Sequence, residues 1–150
     1  MERDSVIVMC SRCRAKNRVP RSRLEERPIC GKCKTPLSAA FRFPDAPIDI
    51  SDSRFKNEVL DFPGPVMVYI WATWCGYCRQ MTPIVDRIAA EYAGRVKIVK
   101  MVMDQNPLTA SHYGIQAVPA FLLFKAGSQV DKAGGAMPKE ELERHLGRIL

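Results

Sequence analysis

No apolar run in this 150-residue sequence reaches the roughly 18 residues that a membrane-spanning helix needs. A secretory leader is equally hard to find: MERDSVIVMC opens on charge, and its apolar part, Val6 to Met9, is too short for an h-region. The expectation is a cytoplasmic protein with no membrane partner, in a compartment where structural disulfides are rare. Histidine is scarce: His112 and His145 stand in unrelated segments and offer no shared metal site. Before Pro44 aliphatic side chains are few, so that segment lacks the apolar surface to offset its own ordering entropy. It also lacks the interleaved aromatics on which single-strand nucleic-acid binders stack bases.

Cysteine, by contrast, is plentiful and ordered. All six residues fall into Cys-x-x-Cys pairs, Cys10/Cys13, Cys30/Cys33 and Cys75/Cys78. The first two pairs form Cys10-x2-Cys13-x16-Cys30-x2-Cys33, the spacing of a closed four-thiolate zinc site. Two residues between thiolates let both reach one ion from a tight turn, and Ser11, Arg12, Gly31 and Lys32 suit that turn. Two redox pairs or two disulfides are the alternatives. One structural Zn²⁺ is favoured because the segment has no other means of folding. The net charge of +7 also concentrates here, with 11 Lys and Arg against 5 Asp and Glu through residue 47. Arg14, Lys16, Arg18, Arg21 and Arg23 suit phosphate contacts, yet solvation of a small basic module explains them as well, and no nucleic-acid partner is expected.

Composition then changes. Residues 1–40 read as the zinc-binding module and residues 41–47, FRFPDAP, as a linker whose Phe41 and Phe43 can pack on a neighbour. Residues 48–150 read as one α/β domain. Asp49 to Ser53 makes a short strand running into helix-capping residues, followed by a helical pattern at Phe55, Val59 and Leu60. Pro65 to Trp74 is a continuous apolar run of strand length, suited to a central strand covered on both faces. Met81, Ile84, Val85, Ile88, Ala89 and Tyr92 recur at helical spacing, with a kink expected at Pro83. Val96–Met103, Leu108–Tyr113, Pro119–Lys125, Gln129–Lys132 and Pro138–Leu150 complete the order β-α-β-α-β-α-β-β-α. That order implies a mixed central sheet flanked by helices. Met67, Met81, Met101 and Met103 read as core, and His145, Lys139, Glu140, Glu141, Glu143 and Arg144 as an exposed helix face.

Trp74-Cys75-Gly76-Tyr77-Cys78 stands where the buried strand meets the helix. A helix N-terminus presents unsatisfied N–H groups and positive partial charge, which stabilise a thiolate. Cys75 falls at the open end. Cys78 lies one turn in, near enough to form a disulfide with Cys75 but shielded. A first thiolate that attacks a substrate disulfide, and a second thiol that resolves the mixed disulfide, is the chemistry such a pair supports.

From Ile48 onward the chain resembles the thioredoxin family. The residues carrying that resemblance are Trp71-Ala72-x-Trp74-Cys75-Gly76-x-Cys78, Pro83, Asp104-Gln105-Asn106-Pro107, Tyr113-Gly114-Ile115, Val118-Pro119 and Phe124-Lys125-x-Gly127. The resemblance implies a thioredoxin fold preceded by a zinc-ribbon-like module, and a protein-disulfide reductase with Cys75 as nucleophile and Cys78 as resolving thiol. It also implies a cis peptide before Pro119, with Val118 offering its backbone to an extended substrate. Trp71, Trp74, Gly76, Tyr77 and Gly135 would shape the substrate rim, with Lys100 beneath it. Implied partners are disulfide-containing proteins and a thioredoxin reductase or glutathione system, and a monomer is expected. Two residues depart from the family pattern: Tyr77 replaces the usual proline, and Tyr69 replaces a buried aspartate behind the resolving cysteine. Both departures point to a less reducing couple than usual, unless they are neutral packing changes. A thiol oxidase or isomerase, or a zinc-dependent binding module, are the other function classes. The binding module leaves Cys75 and Cys78 unexplained.

Overall fold

The computed structural model describes residues 5–10, 12–20, 23, 28–37 and 43–150. Ser11, Arg21 and the linker residues Phe41 and Arg42 lie outside these. The N-terminal module is a hairpin of β1 (Ser5–Met9) and β2 (Lys16–Pro20), antiparallel, with Val8 opposite Asn17. The turn between them carries Cys10 and Cys13. A second turn, closed by a bridge between Ile29 and Pro36, carries Cys30 and Cys33. Val8, Val19 and Leu37 are buried with Cys10 and Cys30. That is a very small apolar interior, as the composition foretold.

The second domain contains β3 (Ile48–Asp49), α1 (Asp52–Phe55) running into a π-helical turn (Lys56–Leu60), β4 (Pro65–Trp71) and α2 (Gly76–Glu91). Then come β5 (Lys97–Val102), a 3₁₀ turn (Met103–Gln105), α3 (Pro107–His112), β6 (Ala120–Lys125), β7 (Ser128–Gly134) and α4 (Lys139–Leu146). The element order is the expected one. The strands line up as β3-β5-β4-β6-β7, with β4 parallel to β5, β5 parallel to β3, and β6 and β7 antiparallel to their neighbours.

Strand β4 is central and covered on both faces. Val66, Val68 and Ile70 pack with Phe55, Val59 and Phe124 on one side, and Met67 and Tyr69 pack with Met81, Val85, Ile88 and Leu142 on the other. The period of two therefore aims Tyr69 at α2, the helix that begins at the Cys-x-x-Cys pair. Met67, Met81 and Met101 are buried in these layers and Met103 is half-buried. Asp52 ties α1 to α3: its carboxylate accepts from the Leu108 and Thr109 amides, each at 3.0 Å, while its own amide donates to Asn106 Oδ1 at 2.8 Å. Phe43 of the linker packs edge-on against Phe62, ring centres 5.2 Å apart.

Element ends differ from the sequence expectations for local reasons. Strand β4 stops at Trp71 instead of Trp74, because the Cys75 amide turns back to the Ala72 carbonyl at 3.2 Å and Cys75 caps α2. Helix α4 starts at Lys139, with Pro138 in extended conformation before it. Helix α2 continues through Pro83, which has no N–H to offer the Arg79 carbonyl.

The face of α4 expected to be solvated is instead partly engaged. His145 Nδ1 lies 2.6 Å from Asp131 Oδ2 on β7. Lys139 bridges Glu91 at 2.6 Å and Glu143 at 3.0 Å, and the Tyr92 hydroxyl donates to Glu143 at 2.5 Å. A repeat of polar residues along a helix marks its wetter side, but neighbouring elements supply partners that the helix itself does not reveal.

Candidate functional site

Cys75 holds the cap position of α2 in extended backbone conformation, and its sulfur accepts the Cys78 amide at 3.1 Å. That amide is one of the unsatisfied donors of the first helical turn, so a negative charge on Cys75 Sγ is met by a directed N–H and by the helix dipole. The same sulfur stands 3.6 Å from the Val118 carbonyl, next to the cis Val118–Pro119 bond. Cys75 is the more open of the two thiols by a small margin, 5 % exposed against 1 % for Cys78. Ala72 packs with them, and Trp71 and Val118 flank the cluster. Both cysteines are free thiols.

Exposure belongs to the surrounding rim. Trp74 is 63 % and Tyr77 65 % exposed, large fractions for aromatic residues, and each directly precedes one cysteine of the pair in the chain. Gly76 between them has open space where a Cβ would stand. Gly135 sits across the site in the left-handed region, at φ +89°, and its amide donates to the Pro119 carbonyl at 2.9 Å. Of the residues expected at the rim, Val118 lies against Cys75 Sγ, Trp74, Gly76 and Tyr77 flank it in the chain, and Gly135 reaches the site through Pro119. One contact had not been anticipated: the Trp74 indole N–H donates to Asp104 Oδ2 at 2.7 Å, fixing the rim ring to the turn after β5. In the sequence Asp104 is marked only by its place in Asp104-Gln105-Asn106-Pro107.

Beneath the pair, Tyr69 is fully buried and stacked on Phe121, ring centres 5.3 Å apart. Its hydroxyl donates to the Cys78 carbonyl at 3.0 Å and lies 3.1 Å from Thr82 Oγ1. Burial pushes the Tyr69 phenol well above its ordinary range. The Cys78 thiol is pushed up to about 11, chiefly by burial and by its hydrogen bond with Cys75, while a hydrogen bond from Tyr69 opposes the rise. Lys100 is the register partner of Tyr69 on β5, and its ammonium lies over the Trp71 ring, 5.3 Å from the centre. Trp71 Nε1 is the one buried side-chain polar atom of the described residues that finds no acceptor.

The N-terminal cysteines form a second centre. Their four sulfurs all lie within 4.8 Å of one another, with Cys10–Cys33 at 3.6 Å and Cys13–Cys30 at 3.5 Å. Thiolates about 2.3 Å from a tetrahedral zinc stand about 3.8 Å apart, so the cluster has the size of one such ion. The two turns repeat one construction. Cys10 and Cys30 donate their amides to the Ala15 and Thr35 carbonyls, each at 2.8 Å, and Arg14 and Lys34 both take positive φ, 66° and 64°. N–H groups point at sulfur: Cys13 N to Cys10 Sγ at 3.5 Å, Lys32 N to Cys30 Sγ at 3.4 Å, and Asn17 Nδ2 to Cys30 Sγ at 3.6 Å. Such donors stabilise thiolates bound to a metal. Four soft donors with no position for water fit a structural zinc ion, and Zn²⁺ is the cofactor of this module.

The family model described as Thioredoxin matches residues 46–148, and the model described as Thioredoxin 2, N-terminal, matches residues 9–35. Among curated proteins, Thioredoxin 1 of a Nostoc species is 49 % identical over 105 residues, which cover 67 % of this chain and 98 % of that protein. Thioredoxin of a Synechocystis species is 48 % identical over 101 residues, covering 67 % and 94 %. Thioredoxin of Rickettsia conorii is 48 % identical over 94 residues, covering 63 % and 90 %.

Proposed function

The chain belongs to the thioredoxin family of dithiol–disulfide oxidoreductases, and on that premise we propose that Cys75 is its nucleophile and Cys78 its resolving thiol. The observation that carries the assignment is the Cys78 amide aimed at Cys75 Sγ from the first turn of α2. The Cys75 thiolate attacks one sulfur of a protein disulfide and releases the other as a thiolate. Cys78 then attacks Cys75 Sγ in the mixed disulfide and releases the substrate's second thiol. Two electrons pass from the pair to the substrate. A reductase partner, of the thioredoxin-reductase or glutathione type, restores the dithiol. Trp74, Gly76, Tyr77, Val118, Pro119 and Gly135 form the substrate rim in this reading, while Trp71, Tyr69 and Lys100 support it from below.

Residues 1–40 serve as the zinc-binding module on Cys10, Cys13, Cys30 and Cys33, residues 41–47 as the linker and residues 48–150 as the catalytic domain. Zinc supplies the module's folding free energy and takes no part in the exchange. We place the protein in the cytoplasm as a monomer; among the described residues, no helix is long and apolar enough to cross a membrane.

Tyr69 and Tyr77 make the couple less reducing than that of relatives with aspartate and proline at those positions. The altered turn and the lost carboxylate favour the dithiol, and a favoured dithiol raises the potential. Equilibration against glutathione measures it, and a value as low as that of a proline-containing relative would sink this part. The roles of the two cysteines are tested by substitution. Cys75→Ser abolishes reduction of a protein disulfide by dithiothreitol-coupled turnover, and Cys78→Ser traps the substrate covalently on Cys75. Undiminished turnover in Cys75→Ser would return the chain to the class of zinc-dependent binding modules.

A further inference from the structure

The resolving cysteine lacks the buried carboxylate usual behind it in this family, because Tyr69 stands there. The replacing side chain is nevertheless polar, and its surroundings are specific. Tyr69 is stacked on Phe121 and is 0 % exposed, so its hydroxyl finds its partners on α2 and not in water. It donates to the carbonyl of Cys78 at 3.0 Å, on the same residue that carries the resolving sulfur. Thr82 lies within the same cluster, one turn further along α2, and donates its own hydroxyl to that carbonyl at 3.0 Å.

Proton counting gives this cluster a direction. A phenol carries one proton and a carbonyl has room for two donors. Because Thr82 already serves the Cys78 carbonyl, the Tyr69 proton is released for sulfur at little cost when charge develops there. A donor held in a dry site is worth most on a group that is becoming an anion. We propose that Tyr69 is a positioning residue for the resolving step, its hydroxyl turning from the Cys78 carbonyl to the Cys78 sulfur as that sulfur becomes a thiolate. This rests on the assignment of Cys78 as resolving thiol.

The balance of the step is simple. Cys78 sulfur bonds to Cys75 sulfur, and the bond from Cys75 to the substrate breaks with its electron pair leaving on the substrate sulfur; over both steps the dithiol loses the two electrons that the substrate disulfide gains. The Cys78 proton leaves to the departing substrate thiolate. Tyr69 keeps its own proton throughout, consistent with a phenol that burial holds well above its ordinary range. The titratable groups that face Cys78 are Cys75 at the start of α2 and Tyr69 on β4, with Lys100 alongside Tyr69 on β5.

The test is an acid-quenched single turnover of the reduced, zinc-loaded full chain with a peptide disulfide. Mass spectrometry separates the mixed disulfide from the closed Cys75–Cys78 form. Tyr69→Phe keeps the ring and its stacking. The expected result is mixed disulfide forming at the unsubstituted rate but closing about tenfold more slowly, with the pH midpoint of closure moved upward; a hydrogen bond to a charged group supports a loss of that size. Thr82→Val slows closure as well, because the Tyr69 proton is then recruited by the Cys78 carbonyl, and this variant serves if Tyr69→Phe does not fold. Unchanged closure with an unchanged pH profile overturns the proposal, as does equal slowing of both steps, which marks a packing role. Absence of any Cys75 mixed disulfide in the unsubstituted chain overturns the site assignment itself, and the Tyr69 proposal with it.

Discussion

Removing the carboxylate of Glu58 should destabilise the second domain far more than removing its partner Lys97. Lys97 is buried on β5, 5 % exposed, with its ammonium 2.6 Å from Glu58 Oε2, 2.8 Å from the Glu58 carbonyl and 4.4 Å from the centre of the Phe62 ring. The Glu58 side chain is 25 % exposed and also meets Arg54 at 3.0 Å. Deleting one member of a buried pair costs about 3–5 kcal/mol because the other charge is left uncompensated. Here the carbonyl and the Phe62 face still serve the ammonium, so the cost of Glu58→Ala should fall nearer 2–3 kcal/mol by the same reasoning. Lys97→Met fills the same volume with apolar atoms and leaves Glu58 with water and Arg54, so its cost should stay under about 1 kcal/mol. The double variant should regain most of the loss.

Urea unfolding followed by circular dichroism reads these differences, and a domain of this size shifts its melting temperature by about 4–8 °C per kcal/mol. The pH dependence has a definite sign. Burial alone would raise the Glu58 pKa, but the hydrogen bonds and charges of Lys97 and Arg54 outweigh it, and the net shift is downward. A depressed carboxylate contributes stability that is complete above its unfolded-state pKa and is lost as pH falls through the folded value. Glu58→Ala should therefore flatten the acid side of the stability profile. Equal costs for the two single variants, or an unchanged acid limb, would refute the reasoning.

The zinc-loaded chain should contain one Zn²⁺ by elemental analysis, and a chelator should collapse the dispersed amide signals of the β1–β2 hairpin while leaving those of the second domain in place. Gly127→Ala should cost about 2–4 kcal/mol in the same urea assay, from left-handed strain plus overlap. Its φ is +81° and an added Cβ would overlap the Leu60 carbonyl oxygen. Iodoacetamide at pH 7 should alkylate Cys75 and spare Cys78 in the zinc-loaded dithiol form, because the Cys78 thiol is pushed up to about 11 and is 1 % exposed. Peptide mapping decides it, and equal labelling would contradict the buried placement of Cys78.

What the sequence disclosed follows from what a local pattern can encode. The unbroken apolar run of β4 announced a strand covered on both faces, and the helical spacing from Met81 to Tyr92 announced α2 behind it. Their junction placed Cys75 at the open N-terminal end of a helix, and the structure makes it the cap. The Cys-x-x-Cys spacing and the poverty of apolar residues made the metal cluster legible without any tertiary information. Pairings across long separations were not legible. Trp74 and Asp104 lie 30 positions apart, and Lys97 and Glu58 lie 39 apart. Nothing in either neighbourhood names the partner. His145 was misplaced for the same reason, since its acceptor Asp131 belongs to β7. The identity of Tyr69 showed a missing carboxylate, but only the packing against α2 revealed where its hydroxyl points.

The sheet order has a consequence for how the molecule behaves among copies of itself. Among the described residues its two margins are β3 and β7, and each is a poor template for a foreign strand. Strand β3 offers only Ile48 and Asp49. Strand β7 is irregular where Leu123 gives way to Phe124 in its pairing with β6, and it presents Asp131, engaged by His145, and the cation Lys132. Short, kinked and charged margins discourage the edge-to-edge stacking that leads to aggregation. A concentrated stock of this chain should stay clear on standing so long as the sheet is intact, and turbidity should follow the melting of β7 and α4.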